Sequence, residues 1–211
     1  QFYAKKQEIC FEIGAVTVDP KSPLYDPSPL KEYLKALNVP YFYEEQDIVD
    51  QDTKKEKCPS ICSFCSRLKR GRIYACAYRE NYNVLALGQH VDDLAESFVM
   101  SIFHNGRLRT MKANYVDKSS SLRIIRPFVL VREKDLRTFA EKKKLPVIPK
   151  NWPACFEVSK EHHHVKQLLA AQEIHFPNLY PSLRATIRHL MKINLNEFED
   201  KILGEECCTK L

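Results

Sequence analysis

Short apolar runs alternate with helix-period stripes over most of this chain, and that alternation limits the folds open to it. Phe11 to Asp19 reads as a mostly buried strand closed by Pro20. Leu30, Tyr33, Leu34 and Leu37 then share a helical face, which Asn38-Val39-Pro40 brings to an end. Tyr41 to Tyr43 and Asn83 to Gly88 read as further strands, and between them Phe64, Leu68, Ala75 and Tyr78 trace a helical stripe. Val91, Leu94, Ala95, Phe98, Val99 and Ile102 trace the next, before a strand at Leu122 to Ile125 and a lysine-rich helix over 132–144. Strands joined by whole helices cannot pair as hairpins. The expected class is α/β, a parallel sheet with crossover helices over residues 1–149.

Beyond Pro149 the pattern becomes helical. Ser159 suits the cap of a helix carrying Val165, Leu168 and Leu169, and a second helix carries Leu179, Leu183, Ile187 and Leu190. Residues 150–193 are expected to form a small helical appendage and 194–211 a tail, while Asp47 to Lys57 reads as a charged linker.

With 211 residues, 44% hydrophobic and 28% charged, the chain can bury a core. No apolar run approaches the roughly 18 residues of a spanning helix, so no membrane partner is expected. The net charge of +6 suits a polyanionic partner without requiring one. Eight cysteines with no secretory apolar region point to a reducing compartment. A cytoplasmic location is expected, with an organelle left open because the sequence begins at Gln1, close ahead of a strand. The five glycines are scattered and form no phosphate loop, and the amino terminus is expected to be incomplete.

Cys62 and Cys65 stand as Cys-Ser-Phe-Cys, close enough to hold one metal centre from a single turn, and a helix amino terminus favours their thiolates. Two thiolates are too few for a stable site. Cys155, in Pro153-Ala154-Cys155-Phe156, is the natural third and Cys58 an available fourth. Three thiolates on an iron–sulfur cluster leave one iron open to a ligand such as sulfide, whereas a closed set of four suits zinc. Reduced thiols lining a core are the plain alternative. Cys10 and Cys76 read as packing residues, and Cys207-Cys208 as part of the tail.

Gly88-Gln89-His90-Val91-Asp92-Asp93 lies where a strand passes into a helix, and Asp19 ends another strand in the same sense. Ligands bind at such strand ends, so these carboxylates suit a magnesium ion accompanying a nucleotide, with His90 positioning a phosphate. By pattern alone helix capping is the simpler account of Asp92 and Asp93, which a first turn favours through the helix dipole. Arg67, Lys69, Arg70 and Arg72 form one basic set and Arg107, Arg109 and Lys112 a second. Both suit RNA phosphates, or simply a solvated face. His162-His163-His164 reads as solvated, because adjacent helical residues point different ways.

Six segments in order carry a resemblance: Cys62-Ser-Phe-Cys-Ser-Arg-Leu-Lys-Arg-Gly71, Leu87-Gly-Gln-His-Val-Asp-Asp-Leu-Ala-Glu96, Ile125-Arg-Pro-Phe128, Val131-Arg-Glu-Lys-Asp135, Pro146-Val-Ile-Pro149 and Pro153-Ala-Cys-Phe156. Together they resemble the tRNA 2-thiocytidine synthetase family of the ATP-pyrophosphatase (PP-loop) superfamily, over residues 11–192. The resemblance implies an adenine-nucleotide alpha-hydrolase-like fold and an ATP- and Mg2+-dependent tRNA sulfurtransferase. Adenylation of the C2 carbonyl of cytidine 32 would make its oxygen a leaving group, and sulfur delivered by a [4Fe-4S] cluster would displace AMP. By match, Cys62, Cys65 and Cys155 would hold the cluster, Asp92 and Asp93 would face ATP and magnesium, and Arg67, Lys69 and Arg70 would lie near tRNA. The implied partners are tRNA and a sulfur donor such as a cysteine desulfurase, with a homodimer left open.

Two departures accompany it. Trp152 stands where many members carry a further cysteine, a loss that three-cysteine ligation survives. The family's Ser-Gly-Gly-x-Asp-Ser loop falls before the strand at 11–19, so ATP activation by this chain alone is expected to be lost or impaired. The rival expectations are a non-catalytic tRNA- or metal-binding relative, with zinc or iron–sulfur, and a tRNA uridine thiolase.

Overall fold

A computed structural model describes residues 11–19, 21, 25–46, 61–117, 121–148 and 160–191, with 61–65 and 160 by their backbone alone. β1 (Ala15–Asp19) and β2 (Tyr41–Glu45) pair in parallel across the crossover helix α1 (Ser28–Ala36). Helix α2 (Ile61–Arg79) leads to β3 (Val84–Ala86), and α3 (Val91–Asn105) follows. β3 pairs in parallel with β5 (Arg123–Ile125), and β5 pairs antiparallel with β4 (Asn114–Val116). Helices α4 (Glu133–Lys142), α5 (Lys160–His175) and α6 (Leu179–Met191) complete the order. The α/β class with parallel strands and crossover helices is the one the alternation predicts.

Three details differ from expectation. β4 is an added antiparallel strand, too short at three residues to show a period. The first strand starts at Ala15 rather than Phe11; Phe11 and Ile13 are exposed, and the Ala15 N–H is taken by the Pro40 carbonyl at 2.8 Å. Gly14 sits at this entry because a Cβ there would lie 2.5 Å from Tyr82 Oη. On α2 the buried face is set by Cys76 and Ala77, with Ile73 and Tyr74 partly covered; Ala75 and Tyr78, expected inside, face solvent.

Among the described residues, two apolar clusters organise the fold. Ala77, Leu85, Leu122 and Ile124 close one face of the β3-β5 pair. The larger cluster joins Val91, Leu94 and Ala95 of α3 to Val129, to Val165 and Leu169 of α5, and to Tyr180 and Ile187 of α6. Each large side chain buried this way stabilises by about 1.5–3 kcal/mol. The carboxyl-terminal helices therefore share their core with α3. Cys76, 2% exposed, is a packing residue as expected, and burial pushes its thiol pKa up.

Candidate functional site at the strand ends

The carboxyl ends of β3 and β5 share one edge, where Leu87 to His90 lead into α3 and Arg126 to Arg132 lead into α4. Their loops run side by side: Leu87 N–H donates to the Ile125 carbonyl at 2.9 Å and Val91 N–H to the Val131 carbonyl at 3.0 Å. Arg126 ties them laterally, its Nε donating to Gln89 Oε1 at 3.0 Å and its Nη1 to the Lys112 carbonyl at 2.5 Å.

His90 is the cap of α3. The Asp93 N–H donates to His90 Nδ1 at 3.4 Å, and the His90 N–H donates to Asp93 Oδ2 at 3.0 Å, a reciprocal capping box. Asp93 thus has the capping geometry that the sequence offers as one reading, while its carboxylate stays 36% exposed. Asp92 turns inward instead. Its carboxylate accepts from Arg132 Nε at 3.1 Å and from the Glu133 N–H at 2.7 Å, with Arg132 Nη2 3.1 Å from Oδ1. Arg132 also forks onto Glu173 at 2.8 and 2.9 Å, and its guanidinium lies 3.2 Å from the Tyr180 ring centroid. In the sequence Arg132 stands out only as part of the Val131–Asp135 motif, and Glu173 and Tyr180 carry no mark. Arg132 stands 40 residues from Asp92 in sequence, and Glu173 and Tyr180 lie further on, so no local spacing marks them.

Glu96, one turn below Asp93, is buried. Burial raises its pKa, against the pull of Lys166; Asp93 adds to the rise, and His162, whose Nδ1 is 3.6 Å from Glu96 Oε2, opposes it. His162 is exposed as expected, yet it has this buried neighbour.

Asp19 ends β1, buried, and accepts from the Tyr43 hydroxyl and, at 2.7 Å, from the Lys21 N–H. No hydrogen bond or ion pair among the described residues joins it to the His90–Asp93 turn. Gly88 is exposed in the loop after β3. Arg67, Arg70 and Arg72 are exposed on α2 and Lys69 is partly buried; Arg72 Nε donates to Gln46 Oε1 at 2.5 Å. Arg107 and Arg109 are exposed just past Gly106, the left-handed cap of α3. Thr110, next along, anchors that segment through its hydroxyl to the Leu94 carbonyl at 2.8 Å. Cys62 and Cys65 occupy the first turns of α2, described by backbone alone, and Cys58 and Cys155 lie outside the described residues. Among the described residues no group of His, Cys, Asp and Glu side chains forms a metal site.

The PP-loop domain model of the ATP-binding class matches residues 26–149. Over 206 residues the chain is 34% identical to the tRNA-cytidine(32) 2-sulfurtransferase of Vibrio parahaemolyticus, a match covering 94% of this chain and 66% of that relative. The enzyme of the same name from Dichelobacter nodosus is 33% identical over 207 residues, covering 93% and 75%. The chain belongs to this family of PP-loop proteins. It spans less than two thirds of the length of the Vibrio relative. The U34-tRNA thiolase NcsA from Methanococcus maripaludis, solved with its [4Fe-4S] cluster, has the same fold: TM-score 0.68 at 16% identity, covering 91% of this chain and 66% of that one. Among the described residues no helix is long and apolar enough to cross a membrane.

Proposed function

We propose that this chain is part of an ATP-dependent tRNA sulfurtransferase that forms 2-thiocytidine at position 32. One observation carries the reading: 33–34% identity over almost the whole chain to enzymes of that name. Cys62, Cys65 and Cys155 would hold a [4Fe-4S] cluster. Two of these three, Cys62 and Cys65, fall in the first turns of α2, where the helix dipole stabilises thiolate, the form that ligates iron. When bound, the cluster would supply an iron that carries sulfur, and ATP a leaving group on the C2 oxygen. A cysteine desulfurase would serve as donor, and a reducing compartment such as the cytoplasm suits the thiols.

The chain's own residues would bind and orient. The half-exposed turn of His90 and Asp93, with Gly88 before it, would face the nucleotide and its magnesium, while Asp19 and the inward-turned Asp92 would shape that edge. For tRNA the cations divide by whether they are already spoken for. Arg79, Arg132 and Arg137 have carboxylate partners; Arg107 and Arg109 have none among the described residues, and neither do Arg67 and Arg70. These four would take RNA phosphates, joined by Lys69 and by Arg72, whose Nε already donates to Gln46 Oε1.

Disrupting the gene in its native cell and measuring 2-thiocytidine in digested tRNA by mass spectrometry tests the reaction. Loss of that nucleoside, restored by the intact gene and not by a Cys62→Ala copy, is expected; its persistence would overturn the reading. Anaerobic reconstitution tests the cluster. Iron-thiolate absorbance should vanish in Cys155→Ala, and stoichiometric zinc without iron uptake would overturn it.

A further inference from the structure

Arg67, Arg70, Tyr74 and Tyr78 recur every three or four residues along α2, so they share one face of the helix. That face starts beside the Cys62–Cys65 turn and reaches Tyr78 about 20 Å further along the axis, at 1.5 Å per residue. Tyr78, at 78% exposure, is among the most open large rings of the described residues. At its foot lies a cavity of about 330 Å³ lined by Tyr74, Tyr78, Tyr82, Asn81, Asn83 and Leu122.

The walls of this cavity are fixed and only one ring is free. Tyr82 packs edge-on to Phe42, centroids 5.9 Å apart, and its N–H donates to the Ala77 carbonyl at 2.8 Å. Tyr74 and Tyr82 both pack on the Ala77–Leu85–Leu122–Ile124 cluster. Tyr74 also interacts with Tyr115 and feels the charge of Arg70. Tyr78 belongs to no apolar cluster. Asn81, held in the left-handed region at φ 58°, and Asn83 place amide donors and acceptors at the rim. An exposed ring over a shallow aromatic floor, with amides at the edge and arginines leading to it, has the chemistry of a base-stacking platform.

We propose that this cavity takes one unpaired RNA base, stacked on Tyr78, while Arg67 and Arg70 hold the adjoining backbone phosphates. The inference rests on the proposed tRNA substrate only for which RNA supplies the base. Asn81 and Asn83 at this cavity precede β3, whereas the His90–Asp93 turn follows it, so the RNA would run down α2 rather than end at the reacting edge.

The test is fluorescence anisotropy with two labelled RNAs of equal length, a hairpin with a seven-base loop and a blunt duplex. Tyr78→Ala should weaken hairpin binding by roughly 5- to 150-fold, the range of one base–ring stack, and leave duplex binding unchanged. Tyr78→Phe, which keeps the ring, should bind like the unsubstituted chain. The double variant Arg67→Ala and Arg70→Ala should weaken both RNAs. Equal losses on both RNAs in Tyr78→Ala, no loss at all, a Phe variant as weak as Ala, or an unsubstituted chain that binds neither RNA would each overturn the proposal. The outcome is separate from that of the gene disruption: persistent 2-thiocytidine there would leave a Tyr78-dependent hairpin preference standing.

Discussion

Arg132 holds two carboxylates and an aromatic ring at once, which makes it the side chain on which most polar contacts near α3 converge. Its charge is costly to bury, yet the fork onto Glu173 and the contact with Asp92 keep it protonated. Replacing it with Met would strand Asp92, whose side chain is 9% exposed. That variant should lose about 3–5 kcal/mol, read from its urea midpoint, and Lys should rescue only partly because it cannot form the fork. Glu173 gives a pH signature. Its hydrogen bonds from Arg132, then Lys134, push its pKa down from 4.5 to about 2. A depressed carboxyl pKa stabilises the fold above the unfolded value and loses that contribution as pH falls toward the folded one. Stability should therefore decline between pH 4.5 and about 2, and Glu173→Gln should flatten that part of the urea-midpoint profile. None of these partners was legible from spacing, since a charge network between helices leaves no period in the sequence.

At the scale of the element, α3 is the helix the sequence describes best. Its apolar positions recur at helical spacing and Val91, Leu94, Ala95 and Phe98 are buried, with Val99 and Ile102 partly so. Its ends are equally explicit: His90 and Asp93 close the first turn, and Gly106 takes φ 59° after the last. Asp93→Ala should cost about 0.5–2 kcal/mol and Gly106→Ala about 1 kcal/mol in urea unfolding, with the circular dichroism of the native state unchanged. The buried face of helix α2 is out of phase with its predicted stripe, because Tyr78 counts as apolar in any periodicity although its ring stands in water. β4 leaves no mark in the sequence for another reason. Three residues carry no alternation, and only the neighbouring β5 backbone makes them a strand.

Across the whole molecule, the larger core draws on α3, the loop before α4, α5 and α6 together. Ile187 is fully buried, so Ile187→Ala should lower stability by about 2–5 kcal/mol. Because its cavity opens between helices distant in sequence, amide exchange should rise in α3 as well as α6. Exchange confined to α6 would count against a shared core.

The sequence by itself determined the α/β class, the order of the helices and of every strand but β4, the place of Cys62 and Cys65 at the start of a helix, and the family. Each of these is written in local spacing or in motif order. Tertiary structure decided which carboxylate near His90 stays at the surface and which turns inward, because that choice depends on Arg132, Glu173 and Tyr180 arriving from other helices. It also decided which face of α2 is buried: β1, β2 and the β3-β5 cluster cover Cys76 and Ala77 and leave Tyr78 outside. Spacing can mark a stripe on a helix, but only its neighbours choose the side that loses water.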